Sequence, residues 1–369
     1  MPLEPIYLWT LLIAVVTAIT CGLCGSLLLL NRQAMVSEGL SHAVLPGIVL
    51  AFIFFRSYDS PWLIPFSAAS GLFMVWATET LAKTRLVDSD ASLGIVFAGM
   101  FSLGILLVSL NLRHVHFHAD CIIDGNLAHA PLSRWTLPIV GSLPKSFVMM
   151  TSLLITVLGF ILLCYKELKV MIFDSMHAFR IGLRPRLMSY VWLSLASLTA
   201  VAAFDAAGSV LIVALMIAPP ATAFLLTKRF DVFLYYSVGV SILSSVVGYA
   251  VSIALEISPT GPIASTAGMI FLAAFFFAPR QGVVATLVHA SRQRSRMRAS
   301  LAAEMISGCV DSQEASSTLS RVLRISSEEA NAYLDELIAK QWIESHEGTF
   351  VLTENARESI GNLMRNTVV

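Results

Sequence analysis

Residues 6–30 read IYLWTLLIAVVTAITCGLCGSLLLL, a stretch without a charged side chain. Because a bilayer core about 30 Å thick is crossed by about 20 helical residues, this stretch predicts a transmembrane helix. The acidic start of the chain, MPLEP, lacks the basic region of a secretory signal, so we expect this helix to be retained. Similar runs follow at roughly 34–55, 61–81, 91–110, 146–165, 187–205, 207–227, 232–255 and 263–279. The chain is therefore predicted to be an all-α polytopic membrane protein with eight to nine transmembrane helices.

The composition excludes several other classes of protein. Of the 369 residues, 56% are hydrophobic and 13% are charged, whereas soluble domains are about 25% charged. The 5 Cys are too few for a disulfide scaffold. No phosphate-binding loop of the form G-x-x-x-x-G-K-S/T occurs in the sequence. We therefore expect no enzymatic activity, and any ATP hydrolysis is expected on a separate subunit.

Charge divides the chain into two parts. Residues 1–300 contain 19 basic and 13 acidic side chains, while residues 301–369 contain 5 and 11. We predict a transmembrane domain at 1–285, a basic cytoplasmic linker at 286–298 and an acidic cytoplasmic domain at 299–369. In the acidic domain, a helix is predicted to begin either with Ser327 as N-cap or with Ser326 and Glu329 as a capping box. A polar turn between two short apolar runs then predicts a hairpin, so we expect two helices followed by a β-wing.

Loop charges predict the orientation in the membrane, because Lys and Arg in short loops stay on the cytoplasmic side. These residues concentrate between the fifth and sixth runs, after the seventh and after the ninth. The N-terminus and the segment 111–145 are then expected outside. The outer segment contains His114, His116 and His118. Their alternation is compatible with a metal-collecting mouth, but we favour an exposed loop that faces a binding protein.

The stretch 35–47, MVSEGLSHAVLPG, places ionisable residues inside an apolar run. Glu38 and His42 are four residues apart, which puts both side chains on one face of a helix. Ionisable residues at membrane depth usually face a polar cavity, and a carboxylate with an imidazole suits zinc, manganese or iron(II). A hydrogen-bonded pair without a metal is equally compatible with the spacing. Pro46 and Gly47 further predict that the helix is broken here, as in a permeation path.

Three other features have simpler interpretations. Cys21 and Cys24 form a C-x-x-C pattern, which we interpret as small residues in helix packing, since no second pair completes a four-thiolate site. Glu79 is interpreted as snorkelling toward the headgroups. For Asp205, a pore-lining role stays open.

The chain resembles the membrane permease subunit of ABC importers for zinc, manganese or iron(II). The resemblance begins with residues 25–30, GSLLLL, and residues 37–47, SEGLSHAVLPG. It continues at 90–97, 169–182, 210–219 and 258–262, and covers about residues 8–280. Members usually carry Gly-Asp-Ala where this chain has Ser37-Glu38-Gly39, so the carboxylate side chain is longer here.

The resemblance also implies a docking segment for an ATP-binding subunit. Residues 173–182, FDSMHAFRIG, have the pattern of a short amphipathic helix on the basic side of the membrane. The resemblance implies that this segment, with Phe173, Asp174, Ala178 and Gly182, lies in a groove of the ATP-binding subunit. The apolar residues expected to be available for docking are Phe173, Met176, Ala178 and Ile181.

Further partners follow from the same resemblance. It implies a second copy of the chain or a related permease, an extracytoplasmic metal-binding protein, and a bacterial cytoplasmic (inner) membrane as the location. No permanently bound cofactor is expected, because the divalent metal ion is the transported substrate.

The tail resembles the winged-helix DNA-binding module of metal-dependent repressors. Residues 319–341 would form two of its helices and residues 342–357 the wing and the following turn. DNA binding requires Lys and Arg to replace phosphate counterions, and the tail has an acidic excess. We therefore expect no nucleic-acid partner and favour a protein-docking or regulatory role.

Two other functions are compatible with the sequence. A gradient-driven secondary metal transporter would have no ATPase partner and no need of a docking helix at 173–182. A membrane-tethered regulator that acts through its tail would lose its function on truncation at about residue 299.

Overall fold

The structure is a computed structural model in two units, Met1–Gly282 and Val283–Val369, each described by itself. The residues described are 4–31, 33–56, 62–111, 127, 130–132, 134–137, 141–279, 282–286, 302, 304–306, 309, 312–323, 326–339, 341–346 and 349–354. Apart from Thr286, the predicted basic linker therefore lies outside the described residues.

Within its described ranges, the first unit has nine helices of 18 residues or more. They are α1 (Glu4–Leu30), α2 (Ala34–Phe55), α3 (Leu63–Lys83), α4 (Ser89–Asn111), α5 (Lys145–Leu163), α8 (Pro185–Ala207), α9 (Ser209–Leu226), α10 (Phe230–Leu255) and α11 (Thr260–Phe277). Eight of them are long and apolar enough to cross a membrane. The other, α3, carries Glu79 and Lys83 in its last two turns. The prediction of an all-α membrane protein with eight to nine spans is confirmed.

Shorter elements connect these helices. Strands β1 (Arg134–Leu137) and β2 (Gly141–Pro144) form an antiparallel pair with Arg134 opposite Pro144. Two short helices, α6 (Tyr165–Phe173) and α7 (Ser175–Arg180), lie between α5 and α8.

Helix α1 lies at the centre of the first unit, in contact with α5, α8, α9 and α10. Its residues Ile13 and Leu27 are fully buried. A Cβ atom at Gly25 would lie 1.8 Å from the backbone oxygen of Met216 in α9. Only glycine permits so close an approach, and small residues of this kind are typical of helix contacts in membranes.

Helix α2 packs against α3 and α4 and is continuous from Ala34 to Phe55, so the prediction of a broken helix at Pro46 and Gly47 is wrong. Pro46 cannot donate to the backbone carbonyl one turn earlier. The Ser70 hydroxyl of α3 donates to the backbone carbonyl of Ala43, at 2.5 Å. A Cβ atom at Gly47 would lie 2.6 Å from Cα of Ser67. Gly47 therefore allows close packing between α2 and α3, with a hydrogen bond from Ser70 across the contact.

The second unit contains α12 (Ser312–Leu323), α13 (Ser327–Ala339) and the antiparallel hairpin β3 (Ile343–His346) and β4 (Thr349–Leu352). Its apolar core consists of Ala302, Ile306, Ala315, Leu319, Ala330, Leu334, Leu337, Ile343 and Phe350. The capping box is present: the Glu329 amide donates to the Ser326 hydroxyl at 3.2 Å, and the Ser326 amide donates to the Glu329 carboxylate at 3.0 Å. The predicted order of two helices and a hairpin is confirmed.

Candidate functional site

Glu38 and His42 lie one turn apart on α2, and the uninterrupted helix keeps both side chains on one face. The His42 ring is half-buried and stacks on Phe97 of α4, with ring centroids 5.7 Å apart and planes at 24°. It also meets the edge of Phe101, at 5.1 Å and 69°. Glu38 is exposed and makes no hydrogen bond or ion pair with any described residue. The imidazole is thus fixed by aromatic contacts, while the carboxylate points away from the body of the chain.

These two side chains are not enough for a complete metal site. Across the part of the chain that the structure describes, no group of three or more His, Cys, Asp or Glu residues is placed to hold a metal ion. Zinc sites usually have four ligands, so one oxygen and one nitrogen donor form half a site. The remaining donors would have to come from water or from another chain.

A cavity of about 330 Å³ lies between α2, α3, α4 and α8. Its polar lining includes Gln33, Thr78, Glu79 and Asp90, and its apolar lining includes Met35 and Met74. Met74 also lies next to Gly39, because a Cβ atom built there would be 3.0 Å from its sulfur. The cavity therefore lies on the side of Glu38 toward the N-terminal end of α2.

Glu79 has partners that the sequence analysis missed. The Tyr190 hydroxyl of α8 donates to its carboxylate at 2.6 Å, and Lys83 pairs with the same oxygen at 3.5 Å. Tyr190 is 111 residues away in the sequence, so no local signal could have revealed this contact. Glu79 thus joins α3 to α8 at the edge of the cavity.

Of the segment predicted as one amphipathic helix, residues Ser175–Arg180 form α7, and Phe173 is the last residue of the preceding helix α6. Asp174 has an extended backbone, ends α6 and caps α7, where its carboxylate accepts the His177 amide at 2.8 Å. Gly182 ends this region with φ of +87°, a left-handed conformation that favours glycine. We call residues 165–182 the coupling segment.

The coupling segment exposes an apolar patch, formed by Phe173, Met176, Phe179 and Ile181. Between 55% and 71% of each of these residues is exposed. Ala178 is fully buried against the chain itself, so the prediction that it is available for docking is wrong. After Asp174, Met176 and Ile181 are exposed as predicted, and Phe179 is exposed in addition.

Polar contacts join the start of the coupling segment to α10. The Tyr165 hydroxyl of α6 donates to the Asp231 carboxylate. Lys169 pairs with the same oxygen at 3.7 Å, and Arg229 pairs with the other oxygen at 4.0 Å. We call Tyr165, Lys169, Arg229 and Asp231 the Asp231 cluster. It was not predicted, because Tyr165 and Asp231 are 66 residues apart.

Of the remaining predicted sites, the structure describes the side chains of Cys21 and Cys24. Cys21 and Cys24 are fully buried in α1, where the Cys24 thiol donates to the Thr199 hydroxyl at 3.4 Å. They pack between helices as expected. The segment with His114, His116 and His118 lies outside the described residues.

Comparisons with known proteins extend this description. The model of the ABC 3 transport family matches residues 4–278. The chain is 37% identical over 276 residues to the manganese transport system membrane protein MntD of Bacillus subtilis, covering 75% of this chain and 93% of MntD. It is 40% identical over 275 residues to the zinc transport system membrane protein TroD of Treponema pallidum, covering 74% of each. Among solved structures, PsaBC from Streptococcus pneumoniae in complex with Fab is similar with a TM-score of 0.62 and 25% identity, over 74% of this chain and 92% of that one.

Proposed function

Because the chain belongs to the ABC 3 transport family, we propose that it is the permease subunit of an ATP-driven importer that moves a divalent transition-metal cation into the cytoplasm. The observation that carries this proposal is the exposed carboxylate of Glu38 beside the fixed imidazole of His42 on an apolar helix. The chain is a multi-pass membrane protein, and we place it in the cytoplasmic membrane of a bacterium.

The donor set supports a transition metal rather than magnesium or calcium. Imidazole nitrogen with carboxylate oxygen suits manganese, iron(II) and zinc, while the harder cations prefer oxygen ligands alone. Two of the relatives carry manganese and zinc in their names. The proposal is therefore a manganese, zinc or iron importer.

The exposure of Glu38 supports pairing with a second permease. A carboxylate at membrane depth is costly unless it faces protein or a polar cavity. Two copies of this chain, or this chain and a related permease, would bring together two carboxylates and two imidazoles, which complete the donor number that one copy lacks. In this proposal the face of α2 and α4 around Glu38 lines the ion path.

The apolar patch supports a separate ATPase partner. Four large apolar side chains exposed on a segment rich in Lys and Arg are unfavourable in water. We propose that a groove of an ATP-binding subunit covers them. An extracytoplasmic metal-binding protein would deliver the ion on the other side of the membrane.

Replacement of the two donor residues tests the proposal. In proteoliposomes that contain the permease and its ATPase, Glu38→Ala and His42→Ala should each reduce ATP-driven manganese or zinc uptake by about 100-fold. This is the upper end of the loss caused by outer-shell partners of a metal, and direct ligands should matter at least as much.

Glu38→Asp serves as the matched control, because it keeps a carboxylate on the helix and should retain most of the uptake. All variants are compared at equal amounts of reconstituted protein. Wild-type uptake by Glu38→Ala, or uptake by the wild-type protein that does not depend on ATP, would overturn the proposed function.

A further inference from the structure

The Asp231 cluster joins α6, which belongs to the coupling segment, to the long apolar helix α10. Tyr165 and Lys169 are one turn apart on α6, so both reach the same carboxylate. Asp231 lies in the first turn of α10, where a negative charge is favoured by the helix dipole. Helix α10 itself packs along α1, α9 and α11.

The charged side chains of the Asp231 cluster are exposed, so their ion pairs are not a main source of folding stability. The exposed fractions of the side chains are 40% for Asp231, 48% for Lys169 and 79% for Arg229. Exposed ion pairs contribute little to folding. Neutralising Asp231 should therefore leave the protein folded while changing how α6 is held against α10.

The rest of the coupling segment is well suited to transmit a displacement. Leu168 and Met171 anchor α6 in the body of the chain, and the Asp174 cap fixes the angle between α6 and α7. The apolar patch lies on the exposed side of the junction between α6 and α7. A displacement of the apolar patch by a bound partner would therefore move α6 and, with it, the contact between Tyr165 and Asp231.

We propose that Asp231 is a positioning residue which, through Tyr165 and Lys169, transmits movement of the coupling segment to α10 during transport. The inference rests on the proposed function, because it needs an ATPase on the patch. It predicts that loss of the cluster separates ATP hydrolysis from ion movement without releasing the ATPase.

The test measures ATP hydrolysis and manganese uptake on the same proteoliposomes, which contain the complete complex. Asp231→Asn and Tyr165→Phe should lower the number of ions moved per ATP by about fivefold or more, the lower end of couplings between sites. Co-purification of the ATPase should stay unchanged. Tyr165→Phe removes the hydrogen bond, whereas Asp231→Asn keeps an oxygen that can accept it and removes the two ion pairs. The double variant removes both kinds of contact, so its ratio of ions to ATP should be at least as low as that of either single variant.

Glu167→Gln is the matched control, since Glu167 lies on α6 and has no hydrogen bond or ion pair with any described residue. It should keep the wild-type ratio of ions to ATP. An unchanged ratio in Asp231→Asn and Tyr165→Phe would overturn the inference, and so would loss of the ATPase, which would assign the cluster to docking. If the wild-type complex shows no ATP-driven uptake, the proposed function fails and this inference fails with it.

Discussion

Two surfaces of this molecule carry side chains that are unfavourable in their surroundings. One is a charged side chain in an apolar environment, and the other is a set of apolar side chains exposed to water. On α2 a charged side chain, Glu38, is exposed on a membrane-spanning helix. On the coupling segment, large apolar side chains such as Phe179, which is 71% exposed, lie on the basic side of the chain. Each mismatch is costly in isolation and is relieved by contact with another molecule. The first favours a polar path between permeases, and the second favours an apolar groove in a soluble partner.

The largest effect expected on partner binding comes from removing the apolar character of the patch. Phe179→Asp should weaken binding of the ATPase by about 30-fold or more, the effect of losing one hot-spot residue worth about 2 kcal/mol. The measurement is titration of the purified permease with the ATPase. Phe179→Leu is the control and should bind almost normally. Equal affinities for Phe179→Asp and the wild-type protein would show that the patch is not the docking surface.

A change at the neighbouring residue should act on stability instead. Ala178 is fully buried, so Ala178→Leu should overpack the contact beneath α7 and lower the stability by about 1–3 kcal/mol. Thermal unfolding in detergent measures this loss, with Phe179→Leu as the exposed control. If Ala178→Leu melts like the wild-type protein and loses only ATPase binding, the buried and exposed faces of α7 have been assigned the wrong way round.

The other surface is tested by mixing subunits. If two copies of this chain pair through the Glu38 face, co-expression of equal amounts of the wild-type protein and Glu38→Ala leaves about a quarter of the dimers with two intact copies. Uptake should then fall about fourfold. A fall to about half would show that each complex uses one copy of this chain, which contradicts the pairing of two identical faces.

The features that could be predicted from the sequence are those that depend on residues close together in the chain. Apolar runs predicted the long helices, and the spacing of Ser326 and Glu329 predicted the capping box. Features that depend on distant partners were mispredicted or missed. Pro46 lies within a continuous α2 that packs closely against α3 at Gly47, and Asp231 has partners on α6. Ala178 was misplaced because its burial depends on how α7 packs against the rest of the first unit, which the pattern within residues 173–182 does not specify.

The smallest effect is expected in the tail, whose charge opposes the function that its sequence resembles. A helix-turn-helix module presents the N-terminal residues of its second helix to DNA. In the tail, the first turn of α13 has Glu328 and Glu329 exposed, which would repel phosphates. The whole segment 301–369 contains 5 basic and 11 acidic side chains.

We therefore predict that the full chain in nanodiscs binds duplex DNA no more tightly than a chain that ends at residue 298, with or without manganese. Fluorescence anisotropy at several salt concentrations measures this difference. The truncated chain is the necessary control, because the basic loops of the membrane unit attract DNA by charge alone. Salt-sensitive binding that disappears on truncation would show that the resemblance to repressors outweighs the charge of the tail.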